Sequence, residues 1–244
     1  MSNNLEYITY ELDYSLEDKI FQAYIARPND DIKRPVVVIC HAWSGRNKAA
    51  EEAARRIASF GYVGVAIDVY GKGLIGTNKD ENMALMQPLL NNRAELQKRL
   101  AAGISAAQKI ENILPNKIAA MGFCFGGLCV LDLARMNVNL TGVISIHGLF
   151  NQPENLKNTI IKPKVLALHG YLDPMVSLKD TEHFMKEMHA AQADWQLMTY
   201  GNALHAFTDP QANDYDLGTV YNHLSTERAW QAIRLFLAEC QYNS

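Results

Sequence analysis

Cys124 stands at the centre of Gly122-Phe123-Cys124-Phe125-Gly126, between the apolar run Lys117 to Met121 and the helical stretch Leu128 to Met136. A strand, a tight glycine-flanked turn and a helix form the pattern that lifts a nucleophile clear of a sheet, here with sulfur as the reactive atom. The glycines matter because side chains at those positions would collide with the adjoining strand and helix. A sulfur at a helix N-terminus also faces unsatisfied N–H groups and the positive end of the helix dipole, which favour thiolate over thiol. The motif is neither a dinucleotide fingerprint nor a phosphate loop, since no Gly-Lys-Ser/Thr follows.

A thiolate nucleophile needs a base and a group to orient that base. The run Lys164 to Leu168 leads into His-Gly-Tyr-Leu-Asp-Pro, placing Asp173 in a loop after a strand; Trp195 to Tyr200 leads into Gly-Asn-Ala-Leu-His, placing His205 after the next one. The chain order nucleophile, acid, histidine is that of the α/β-hydrolases and differs from both serine-protease orders. Seven histidines compete for the role. His41, His147 and His169 end strands, where bonding to loop backbone is the plain explanation, and His183, His189 and His223 fall in or beside surface helices. His205 alone follows the final strand downstream of a loop aspartate. Asp194 and Asp209 are weaker rivals to Asp173. For an oxyanion the natural donors are the Phe125 N–H and, in Ile-Cys-His-Ala-Trp-Ser-Gly-Arg-Asn, the Trp43 N–H, with the Trp43 ring a candidate pocket wall. Cys40, Cys129 and Cys240 read as packing residues. No metal-ligand spacing is present, and neither a metal nor a cofactor is expected.

Stepping along the chain, two alternating stretches, Leu5 to Leu12 and Lys19 to Ala26, predict a leading antiparallel hairpin. Strand-length apolar runs then alternate with helical stretches, as in a buried, mostly parallel, doubly wound α/β sheet. The strands are expected at Val36 to Cys40, Tyr62 to Ile67, Lys117 to Met121, Gly142 to Ile146, Lys164 to Leu168 and Trp195 to Tyr200. The helices are expected at Lys48 to Ser59, Ala94 to Asn112, Leu128 to Met136, Leu178 to Ala191 and Thr226 to Cys240. The irregular segment Gly71 to Arg93 reads as a lid or a long surface crossover. Right-handed connections gather the loops, and so the chemistry, at the strands' carboxyl ends.

At 244 residues, 48% of them hydrophobic, the chain can bury one sizeable core and is expected to form a single domain over 1–244. A net charge of -3 offers no basic field for nucleic acid or membrane phosphate, which leaves a small-molecule partner. The N-terminus has acidic residues and no long apolar run, so the expectation is a cytoplasmic protein with reduced cysteines, a monomer or homodimer away from membranes.

With Ile-Cys-His-Ala-Trp-Ser-Gly-Arg-Asn, Met-Gly-Phe-Cys-Phe-Gly-Gly, His-Gly-Tyr-Leu-Asp-Pro and His-Ala-Phe-Thr-Asp-Pro in this order, the sequence resembles the dienelactone hydrolase (carboxymethylenebutenolidase) family of α/β-hydrolases over nearly the whole chain. The resemblance implies an α/β-hydrolase fold and hydrolysis of a small-molecule ester or lactone through a thioester, with Cys124, Asp173 and His205 as the triad. Two departures bear on substrate. Members of this kind carry a glutamate in the turn after the first long strand, where Ala42 stands here. Members that hold a substrate carboxylate use arginines, and the stretch His-Ala-Phe-Thr-Asp-Pro-Gln-Ala-Asn-Asp-Tyr-Asp from His205 supplies none; Lys72 is the candidate substitute, a point charge without the bidentate fork. Two other readings remain: a non-catalytic relative that binds a small ligand or partner, and a thiol amidotransferase, whose usual His-x-Glu pair is missing at His205-Ala206-Phe207.

Overall fold

A computed structural model of the protein describes residues 6–157 and 159–242, the side chain of Tyr242 excepted. The chain divides into two compact units, Met1–Ala120 and Met121–Ser244. Leu5, the expected start of the hairpin, lies outside the described residues.

In the first unit, strands β1 (Tyr7–Leu16) and β2 (Lys19–Pro28) form the antiparallel hairpin in continuous register from Tyr7 opposite Pro28 to Leu16 opposite Lys19. Both strands run past the expected limits, because the turn is only Glu17-Asp18, with Glu17 in the left-handed region. Next come β3 (Arg34–Cys40), helix α1 (Lys48–Ser59) and β4 (Val63–Ile67). β3 and β4 are parallel, and β2 pairs antiparallel with β4. A Cβ on Gly64 would meet the Ala54 backbone of α1 at 2.3 Å, whereas the Ile67 side chain reaches Gly103 of helix α3 (Arg93–Ala107). The two positions alternate along β4, so helices cover both of its faces, and every residue of that strand is buried.

The segment Gly71 to Arg93 is more regular than expected. It holds helix α2 (Lys79–Asn91), whose Asn78 cap accepts the Glu81 N–H at 3.0 Å while the Glu81 carboxylate accepts the Thr77 N–H at 2.8 Å. Pro88 lies inside this helix and its buried residues are few, which is why no periodic apolar stripe marks it. Helix α3 stops at Ala107 rather than at Asn112, which takes a positive φ of 54°.

Strand β5 (Ile113–Phe123) crosses the division and is longer than its apolar run. In the second unit it leads into α4 (Phe125–Arg135), then β6 (Gly142–Ile146), β7 (Lys164–Gly170), α5 (Leu178–Ala190) and β8 (Trp195–Tyr200). β6, β7 and β8 pair in parallel. A two-residue-per-strand hairpin, β9 (Asn213–Asp214) with β10 (Thr219–Val220), precedes the closing helix α6 (His223–Tyr242). Gly142 faces Phe236 and Cys240 of α6, and Ser145, on the alternate face of β6, meets Gly127 of α4. Gly127 is also packed against Gly148, where a Cβ would lie 2.6 Å from the opposing Cα, so the helix that begins at Cys124 lies flush against the chain leaving β6. Among the described residues no helix is long and apolar enough to cross a membrane.

The far end of α4 is fixed by a buried charge. Arg135, with no exposed side-chain surface, pairs with Asp132 at 3.2 Å and Glu187 of α5 at 2.7 Å and donates to the carbonyls of Phe150 and Asn151. Removing one member of such a group leaves charge in a dry site without its counter-ion, at a cost of about 3–5 kcal/mol. Arg135→Met is therefore expected to lower unfolding stability by about 3 kcal/mol, read as a shift of the urea midpoint at unchanged slope.

Candidate active site

The turn at Cys124 has the strained geometry its motif requires. Its φ of 53° and ψ of -114° fall where residues with side chains rarely settle. On Gly122 a Cβ would lie 2.1 Å from the Gly126 carbonyl oxygen, so only glycine lets the strand leave the sheet this abruptly. The Cys124 N–H points inward, shared between the Ile146 carbonyl at 3.0 Å and His147 Nδ1 at 3.1 Å. The Cys124 carbonyl accepts from Gly127 and Leu128, the first bonds of α4. The residue itself is half-buried, the other three cysteines buried.

Asp173 sits in the turn after β7. Its N–H donates to the Gly170 carbonyl, and its Oδ1 accepts the Met175 N–H at 2.8 Å. That leaves Oδ2 aimed at His205 Nδ1, 2.7 Å away. The two side chains are almost wholly buried. A carboxylate accepting from Nδ1–H fixes the tautomer with a lone pair on Nε2. The His205 backbone is equally fixed: its N–H donates to the Gly218 carbonyl at 2.9 Å, and its carbonyl accepts the Val220 N–H at 3.0 Å. The small β9–β10 hairpin thus holds the histidine loop from behind, a support too short to announce itself in the sequence.

Among the described residues, His205 Nε2 is buried without a hydrogen-bond partner. Yet the imidazole interacts with the Cys124 sulfur strongly enough to affect its titration. Burial lowers the His205 pKa, but the charge of an ionised Cys124, the Asp173 hydrogen bond and the sulfur contact outweigh it and push the value up to about 10. Nucleophile and base are often not yet hydrogen-bonded before substrate binds. Cys124, Asp173 and His205, far apart in sequence, are thus brought together within the second unit.

Two further side chains stand beside them. His147 is buried at φ 37°, its ring edge-on to His205 at 5.3 Å, with Nε2 2.8 Å from Thr208 Oγ1. Its pKa is lowered well below 6.5, by burial first and then by the positive charge of His205. The sequence signal for it was a histidine at a strand end, which it shares with His41 and His169. His169 is also buried and lowered by burial. Phe125, whose N–H is the expected oxyanion donor, is the first residue of α4. In the other unit, Trp43 is half-buried and its carbonyl accepts from the Tyr70 hydroxyl at 2.9 Å. Lys72 is ion-paired with Asp13, each about half exposed.

The model of the dienelactone hydrolase family matches residues 21–241. The chain belongs to that family. The dienelactone hydrolase-like promiscuous phosphotriesterase from metagenomic libraries superposes with a TM-score of 0.91 at 29% identity, covering 96% of this chain and 98% of that one. A Synechocystis protein provisionally named carboxymethylenebutenolidase is 26% identical over 88% of this chain and 91% of its own. An uncharacterised Caenorhabditis elegans protein is 33% identical over 61% of this chain and 96% of its own. The fold is therefore that of the α/β-hydrolases with a leading antiparallel hairpin, and membership of the dienelactone hydrolase family makes this a hydrolase-type scaffold.

The raised His205 pKa has a consequence for stability. A histidine near 6.5 unfolded and about 10 folded binds its proton more tightly in the native state. The stabilisation is complete below pH 6.5 and is lost as pH rises through about 10. An NMR titration of the His205 ring is expected to show a midpoint far above 6.5, and the same titration in Cys124→Ser a lower one, because the anionic neighbour is gone.

Proposed function

We propose that the protein hydrolyses a small, uncharged ester or lactone by covalent catalysis at Cys124. The observation that carries the reading is the buried His205–Asp173 hydrogen bond beside a sulfur held on a strained turn. The sulfur attacks the carbonyl carbon, and the carbonyl π-electrons move onto oxygen, which the Phe125 N–H stabilises. Collapse of this intermediate breaks the C–O bond, and the leaving alkoxide takes the proton from His205 Nε2. A water then gives its proton to the same nitrogen and attacks the thioester, releasing the acid and the thiolate. Asp173 keeps the imidazole oriented and offsets its charge throughout.

Substrate class follows from charge. Between Lys186 and Arg228 the sequence has no lysine or arginine, while Asp209, Asp214 and Asp216 follow His205 closely. The segment after His205 thus supplies acids and no cation to hold a substrate carboxylate. Lys72, proposed as a substitute cation, would first have to give up Asp13. Ala42, at the position where the resemblance expects a glutamate, adds no further acid.

The test is turnover of p-nitrophenyl acetate. Cys124→Ser is expected to lower kcat at least about a hundred-fold, and Asp173→Asn about 10²–10⁴-fold with little change in KM. Mass spectrometry after brief mixing with an ester is expected to find the acyl group on Cys124. Full turnover by Cys124→Ser, or an adduct elsewhere, overturns the proposal.

A further inference from the structure

His147 belongs neither to the nucleophile turn nor to the histidine loop, yet it is bonded to both. We infer that His147 is a positioning residue: its imidazole ties the backbone of the Cys124 turn to the loop that carries His205, and so sets the alignment of sulfur and base. The inference rests on the reading of Cys124 as nucleophile.

The bonding fixes the ring's chemistry. An amide N–H can only donate, so His147 Nδ1, which receives the Cys124 N–H at 3.1 Å, must present a lone pair. The single ring proton then resides on Nε2 and is donated to Thr208 Oγ1 at 2.8 Å. Thr208 lies just beyond His205, and between them Phe207 packs edge-on against the His147 ring at 5.2 Å. Doubly protonated, the ring would turn an N–H toward the Cys124 N–H and break the tie. Burial and the nearby His205 charge keep it neutral, in agreement with that requirement.

The backbone indicates that this arrangement is held at a cost. Cys124 at φ 53° and His147 at φ 37° are both in the left-handed region, where a residue with a side chain costs of order 1–3 kcal/mol. Two strained residues meet in one hydrogen bond. The same Cys124 N–H already has the Ile146 carbonyl at 3.0 Å, so the ring is not needed merely to satisfy a buried donor. What it adds is a rigid link to Thr208, across which a shift of one loop is transmitted to the other. Displacement of a reacting group by about 1 Å can cost about a hundred-fold in rate.

The experiment compares His147→Phe, which keeps the aromatic volume but has no acceptor, with His147→Asn, whose Oδ1 can replace Nδ1 and which tolerates positive φ. Steady-state hydrolysis of p-nitrophenyl acetate and thermal melting are measured for each. His147→Phe is expected to lower kcat about ten-fold or more with KM within two-fold of the parent, and His147→Asn to recover a large part of kcat. Because His147→Phe could fail to fold, Thr208→Val, which removes only the Nε2 partner, is measured in parallel and is expected to lower kcat several-fold at unchanged melting temperature. Parental kcat in a folded His147→Phe, no recovery in His147→Asn, or parental kcat in Thr208→Val overturns the inference. Cys124→Ser separates the two readings: if it is inactive while the His147 and Thr208 variants turn over normally, the nucleophile stands and the positioning role fails; if it retains full turnover, the nucleophile reading fails first.

Discussion

A residue with a side chain held at φ 53°, ψ -114° persists only where its surroundings leave no alternative, and the second unit is organised around holding Cys124 there. The strand before it ends in Gly122, which has no Cβ to strike the Gly126 carbonyl. The helix after it is pressed against the chain leaving β6 by the Gly127–Gly148 contact and fixed at its far end by Arg135. Beneath it, the Ile146 carbonyl and the His147 ring share its N–H. The contacts with Gly148, Ile146, His147 and Glu187 are local in space and distant in sequence. Parallel β6, β7 and β8 bring them together by ending at one edge.

Electrostatics divides the labour between two neighbouring imidazoles. His205 and His147 lie 5.3 Å apart, too close for both to carry charge comfortably in a buried site. Asp173 and the Cys124 sulfur bias the first toward the charged form, so its pKa rises to about 10 against the pull of burial. Burial, and then the charge of His205, lower the pKa of His147, whose ring nitrogens face an amide donor and a hydroxyl. The residue types are identical, and their different surroundings move the two pKa values in opposite directions.

Much of this was legible from residue order. Strand-length and helical patterns bounded by turn residues matched β6, β8 and α1 at their observed bounds: β6 is buried on both faces and all but Ser145 of it is apolar, whereas β8, largely exposed, mixes Gln196 and Thr199 with apolar residues. The turn around Cys124 was legible because its glycines are demanded sterically, and Asp173 and His205 because strand ends collect in fold order. Other features were hidden for physical reasons. Helix α2 buries little and contains Pro88, so its only announcement is the Asn78 to Glu81 cap. The β9–β10 hairpin is too short for alternation to register, though it fixes the His205 backbone. His147 resembled any strand-end histidine until Thr208 was seen on its other nitrogen.

That last case shows where chain-order reasoning stops for a site of this type. Nucleophile, base and acid are each selected by chemistry that leaves a mark on residue type, and their order survives because strands are laid down in sequence. A residue that sets the distance between two of them needs only a donor, an acceptor and a fixed shape, which several residue types supply. Its role is defined by convergence: the Cys124 turn approaches one ring nitrogen and the Thr208 loop the other, and nothing along the chain couples positions 124, 147 and 208. Alignment in this site is therefore a property of the packed second unit as a whole, and the residues that govern it are found by asking what each strained backbone segment is bonded to.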